Sequence, residues 1–211
     1  MSDTSAKPII VVINGDDSNR TEVYTQQMFD AAFENQGYVQ GKDYYAIGTT
    51  DKGTSLEEIK TRLKEISAAH PGQPISFFLN AHGVVNIIGL APDTEDNPNI
   101  TTSQDFFKTI APYSTPGSSV YVVSCFGGSF LDDANRIMPE NTQVASMAKS
   151  YESNVFNNSG NLFSYLSREK IDRPLNAGEM VNLSLLKNTG YPNEPVTLVT
   201  SKASPSYFDY E

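Results

Sequence analysis

The chain has 211 residues, 38% of them hydrophobic and 19% charged, with a formal net charge of −10 and a single cysteine. This is the composition of one ordinary folded domain, spanning 1–211 with residues 1–7 as a flexible tail, and no proline-, glycine- or serine-rich linker divides it. The acidic balance argues against nucleic acid as a partner, because that binding rests on lysine and arginine releasing phosphate counterions. The longest purely apolar run, Ile9 to Ile13, is far short of the ~20 residues of a membrane helix, so no membrane insertion is expected.

Residues Met1 to Lys7 lack the basic region and apolar core of a secretory signal. The expectation is a cytoplasmic protein, or one exported without a cleavable signal. One cysteine closes no internal disulfide, which suits a reducing compartment.

Taken in order, Ile9-Ile10-Val11-Val12-Ile13 is a continuous β-branched stretch of the kind found in strands buried on both faces. Asn14-Gly15-Asp16-Asp17 turns the chain, and 21–35 reads as a helix with Tyr24, Met28 and Ala32 on one face, ended by Gly37. A second strand is expected at 43–49. Ser55-Leu56-Glu57-Glu58 is a capping box for a helix carrying Leu56, Ile59, Leu63 and Ile66 on one stripe, and His70-Pro71-Gly72 closes it. A third strand at 74–80 leads directly to His82.

Beyond it lie a short apolar piece, 84–90, an acidic loop around Asp93, Glu95 and Asp96, and a helix at about 102–111. The fourth strand, 118–124, runs into Cys125, and 142–147 reads as a fifth. Weaker helical patterns follow at 161–169 and 177–187, with a last strand at 196–200. Strand and helix alternating in this way imply an α/β fold with a mostly parallel sheet of about six strands and helices on both faces.

Two stretches stand out, Phe77-Phe78-Leu79-Asn80-Ala81-His82-Gly83 and Val120-Tyr121-Val122-Val123-Ser124-Cys125-Phe126-Gly127-Gly128. Each is an apolar run that stops at a residue able to do chemistry. In an open α/β sheet, reactive groups gather at the carboxyl ends of the strands. If these two strands are neighbours, an imidazole faces the one thiol of the chain, the requirement for attack on a carbonyl with Cys125 as nucleophile and His82 as base.

The inventory removes other chemistries. Both histidines, His70 and His82, precede Cys125, which rules out a papain-like order. A glutamine-amidotransferase elbow wants glycine two residues before the thiol, where Val123 stands, and a later histidine. Nitrogen and sulfur ligands are too few for structural zinc, and Gly127-Gly128 matches neither a phosphate loop nor a dinucleotide fingerprint, so no cofactor or metal is expected. A phosphorelay receiver needs an aspartate where the third strand ends in Asn80. His70 reads as a helix-end cation complementing the dipole.

Histidine first, then cysteine, each at a strand end with a helix between, resembles the caspase-like cysteine peptidases, the clan of caspases, legumains, gingipains and clostripain. Residues 75–153 are closest in layout to legumain, through His-Gly, a short apolar hairpin, an acidic loop, a helix and a strand into Ser-Cys-x-Gly-Gly. The resemblance implies a three-layer caspase-like sandwich and a cysteine endopeptidase acting on a peptide or protein substrate through an acyl-enzyme. It implies that Cys125 attacks, that His82 holds the proton for the leaving amine, and that the Gly83 and Cys125 N–H groups stabilise the oxyanion. It also implies an asparagine orienting the histidine, for which Asn14, Asn19 and Asn80 are candidates.

The family keeps glutamate or glutamine two residues before the cysteine, and Val123 departs from that pattern. If Asp16 or Asp17 lines the specificity pocket, a basic side chain is preferred; if neither does, an apolar one is. Ser146, in the strand that would flank the pocket, is a further candidate for substrate binding. The asparagine-rich loop 153–161 is a candidate self-cleavage site of a zymogen. A catalytically inactive binding module, or a thiol-dependent acyltransferase or amidase, is the alternative on the same fold.

Overall fold

The computed structural model describes residues 7–15, 26–49, 52–90, 100–146, 148, 162–171 and 197–200. The helix expected at 177–187, the loop 153–161 and the residues Asp16, Asp17 and Asn19 lie outside them.

The β-branched run forms strand β1 (Ile9–Asn14), and all six residues are buried. It is the second strand of the main sheet, whose order is β2-β1-β3-β7-β8-β9, with β2 (Tyr44–Ile47), β3 (Ile75–Asn80), β7 (Ser119–Val123), β8 (Gln143–Ser146) and β9 (Thr197–Thr200). The first five strands are mutually parallel, and β9 closes the edge antiparallel to β8. The near-continuous apolar strands are the consequence of that arrangement, since a parallel sheet is covered on both faces.

Alternation along each strand sends side chains to two separate cores. Val11, Ile13, Phe77, Leu79, Val120 and Val122 face one layer, where they meet Ile59, Leu63 and Ile66 of helix α2 (Leu56–Ala69) and Phe106, Phe107 and Ile110 of α3 (Ser103–Ile110). Ile10, Val12, Phe78, Tyr121 and Val123 face the other, against Phe29, Ala32 and Phe33 of α1 (Gln26–Asn35) and Leu162, Phe163 and Leu166 of a helical turn at 162–166. On that side Phe78 stacks on Tyr121 at 4.5 Å between ring centroids and meets Phe33 edge-on at 5.0 Å. Such geometries add to simple burial.

The helix signals act as read. Ser55 caps α2 by accepting the Glu58 N–H at 3.1 Å, although the Glu58 carboxylate takes the Thr54 hydroxyl. Gly37 follows α1 with φ of 76°, the left-handed conformation glycine adopts without cost. His70 caps the end of α2, and its Nε2 lies 2.9 Å from the Tyr45 hydroxyl, a structural role.

Two features depart from the sequence pattern. The short apolar hairpin expected after His-Gly is present as β4 (His82–Val84) and β5 (Ile87–Gly89), but it begins at His82 itself and is joined by β6 (Ile100–Thr102) into a second, antiparallel sheet. His82 therefore opens a strand rather than lying in a loop. Helix α4 (Leu131–Ile137) is not expected from the sequence; it follows a 3-10 turn, Gly127–Phe130, and has no side-chain cap at its start, so its acidic first turn, Asp132 and Asp133, stands without the capping residue that usually marks a helix.

Candidate active site

Register aligns the reactive groups. In the β1–β3–β7 centre of the sheet, Asn14 pairs with Asn80 and Asn80 with Val123, so the three strands end level. His82 and Cys125 each stand two residues beyond that row. The Ala81 N–H donates to the Val123 carbonyl at 3.3 Å, carrying the β3–β7 pairing one step further before the chain turns into β4.

Gly83 shows how closely the two ends approach. A Cβ placed there would overlap Ser124 Oγ and would sit 2.6 Å from the Cys125 carbonyl oxygen and 3.1 Å from Phe130 Cζ. Real Cβ atoms keep well clear of such distances, so only glycine lets the His82 strand lie against the Ser124–Cys125 turn. Glycine here admits the turn that carries the thiol.

The turn itself is tightly made. Ser124 is fully buried and its hydroxyl donates to the Cys125 carbonyl at 3.2 Å. Phe126 has φ of 55° and ψ of 15°, a left-handed conformation rare for an aromatic residue, and the Gly127 N–H returns to the Ser124 carbonyl at 3.1 Å. Strain of this kind persists only where its surroundings enforce it, and it collects at functional sites. Gly127 is needed for space, because a Cβ there would lie 2.6 Å from Ser146 Oγ and 2.7 Å from Val122 Cγ1.

Cys125 is half-buried, and burial pushes its thiol above the ordinary value; its own backbone N–H, directed at the sulfur, acts in the opposite sense. The resting side chain at neutral pH is a thiol. That same N–H is one of the two groups expected to meet an oxyanion.

The remaining candidates are placed as follows. Asn14 is fully buried; its amide donates to Gln26 Oε1 at 2.7 Å and accepts from Asn80 Nδ2 at 3.0 Å. Gln26 in turn donates to Asp30 Oδ1 and to the Tyr44 hydroxyl. Asn14 and Asn80 thus share a polar chain leading from the sheet rim into α1. Val123 is 2% exposed and packs in the same core layer that Cys125 edges. Ser146 is fully buried and its hydroxyl is taken up by the backbone of Ala148, donating to the carbonyl at 2.7 Å and accepting from the N–H at 3.2 Å. Both lie beneath the turn, closed from solvent. Among the described residues no group of histidine, cysteine and carboxylate side chains is assembled for a metal ion, and no helix is long and apolar enough to cross a membrane.

No protein-family model and no curated protein matches the sequence. Solved structures do. A secreted C11 cysteine protease from Bacteroides thetaiotaomicron, in complex with an irreversible peptide inhibitor, superposes with a TM-score of 0.60 at 8% identity, covering 93% of this chain and 66% of that one. The fold is caspase-like.

A second structure from the same organism, the secreted C11 protease named iotapain, gives a TM-score of 0.59 at 13% identity with the same coverage, so the chain spans 66% of the length of each. These neighbours support the caspase-like fold expected from the order of His82 and Cys125. They do not single out a legumain-like layout within it.

The sequence does not announce the left-handed backbone of Phe126 or the buried hydroxyl contact of Ser124 that shape this turn. An aromatic residue is the last choice for a left-handed position.

Proposed function

We propose that the chain is a cysteine endopeptidase working through Cys125 and His82. The observation that carries the reading is the fit of Gly83 against the Ser124–Cys125 turn, which puts the two candidate residues on adjacent strand ends at one rim of the sheet. Cys125 Sγ attacks the scissile carbonyl, its proton passes to His82, and the tetrahedral oxyanion meets the N–H groups of Gly83 and Cys125, each typically worth about 3–4 kcal/mol. His82 then protonates the amine as the C–N bond breaks, and water hydrolyses the thioester. Because burial holds the sulfur as a thiol, the proton leaves it as attack begins rather than in the resting protein.

An irreversible set of peptidyl acyloxymethyl ketones with basic, amide, acidic and apolar P1 side chains tests the assignment. Wild type is expected to be labelled at Cys125, and Cys125→Ala and His82→Ala are not. Failure of the whole set on wild type favours a binding module on this fold, and an alkylatable thiol that cleaves no peptide library favours acyl transfer or amide hydrolysis on another substrate.

A further inference from the structure

Resting on the peptidase reading, we propose that Ser129 is a positioning residue: its side-chain hydroxyl bridges the His82 hairpin to the Cys125 turn and fixes the imidazole strand against the thiol. The Ser129 hydroxyl donates to the Phe126 carbonyl at 2.8 Å and accepts the Asn86 N–H at 2.9 Å. Phe126 directly follows Cys125, and Asn86 forms the turn between β4, which begins with His82, and β5. One side chain therefore joins the two loops that carry the proposed chemistry.

Backbone conformation makes the bridge more than a surface hydrogen bond. Among the described residues, Asn86, Phe126 and Asn141 are the non-glycine residues with positive φ, at 59°, 55° and 69°. The Ser129 hydroxyl ties the first two of these together. Left-handed backbone is tolerated by asparagine but disfavoured for a bulky residue such as Phe126, so the Cys125 turn is bent against its own preference, and the bridge opposes its relaxation. The Ser129 N–H adds a second bond to the Phe126 carbonyl at 2.9 Å, and the Asn86 carbonyl accepts the Ser103 N–H at 3.0 Å, anchoring the hairpin turn to the start of α3. With Gly83 in contact with Ser124–Cys125 at the hairpin's base and Ser129 holding its tip, the strand of His82 is fixed at two points.

The test compares Ser129→Ala and Ser129→Thr with wild type in three measurements: thermal stability, hydrogen exchange at the Asn86 amide, and the second-order rate of labelling by the acyloxymethyl ketone that reacts best with wild type. Iodoacetamide, which needs the sulfur but not the imidazole, serves as the control probe. Ser129→Ala keeps the backbone bond to Phe126 and is expected to fold, to exchange the Asn86 amide faster, and to lose about 10- to 100-fold in labelling by the ketone with less than a threefold change toward iodoacetamide. Ser129→Thr retains the hydroxyl and is expected to recover at least half of the wild-type rate. Ketone labelling of Ser129→Ala at the wild-type rate with faster Asn86 exchange overturns the proposal alone, as does a Ser129→Thr variant as slow as alanine or an equal loss toward both probes. A wild-type protein that no ketone labels overturns the peptidase reading and this proposal with it.

Discussion

Replacing Gly83 with alanine isolates the steric part of the site. Gly83 does not have a left-handed φ, so alanine meets no backbone penalty and the whole effect comes from the added methyl. That methyl would overlap Ser124 Oγ, which has little room to move because the residue is fully buried, and would lie 2.6 Å from the Cys125 carbonyl. Moving that oxygen out to an ordinary contact of about 3.4 Å needs a shift of about 0.8 Å in the backbone of Cys125 itself. Overpacking of this kind costs about 1–3 kcal/mol of stability. A displacement near 1 Å at reacting atoms costs roughly 100-fold in rate, equivalent to about 2.7 kcal/mol of barrier. Urea denaturation reads the first and ketone labelling of Cys125 the second. Gly72→Ala is the control: its φ is +74° and a Cβ meets nothing within 4 Å, so it loses stability through the backbone alone and should label normally. Adding Ser124→Gly to Gly83→Ala removes the hydroxyl overlap but not the carbonyl one, and should restore little of the rate. Gly83→Ala labelled within twofold of wild type would refute the close approach of the two strand ends.

Because burial raises the Cys125 thiol, its iodoacetamide alkylation should climb with pH toward a midpoint above the ~8.5 of a free cysteine. A midpoint near 6 would mean a resting thiolate and contradict the thiol ground state. Asn14→Ala leaves Asn80 and Gln26 without their shared partner in a buried setting and should cost about 2–3 kcal/mol in urea unfolding; a loss under 0.5 kcal/mol would show the polar chain to be dispensable. Burial raises the phenols of Tyr38 and Tyr44, aided by Asp43 beside the first and by the hydrogen bond to Asp30 at the second. A group with its folded pKa above its unfolded one contributes stability below the unfolded value, about 10, that is lost as pH rises beyond it. The urea midpoint should therefore hold from pH 7 to 9 and fall above 10, less steeply in Tyr44→Phe; an unchanged midpoint at pH 11 would refute it.

Local chemistry carries most of the scaffold. The β-branched run at 9–13, the Ser55 cap with the stripe of α2 and the glycine after α1 announce strand, helix and stop through interactions within a few residues, and the structure has them within one to three positions. The pair of apolar runs ending near His82 and Cys125 was also visible, because a strand buried on both faces has to break its hydrophobic run where the chain emerges at the rim.

The adjacency of those rims was not visible, since it depends on β3 and β7 pairing across 43 residues of sequence, and no spacing encodes it. The same holds for the second sheet that turns His82 into a strand, for the seating of Gly83 on Ser124–Cys125, and for the Ser129 bridge. From the sequence alone came which groups are able to react and the order in which the chain presents them. Tertiary structure decided which strand ends lie side by side, because contact between distant segments is set by the packing of two cores on one sheet, a property of the whole chain that no short stretch of it contains.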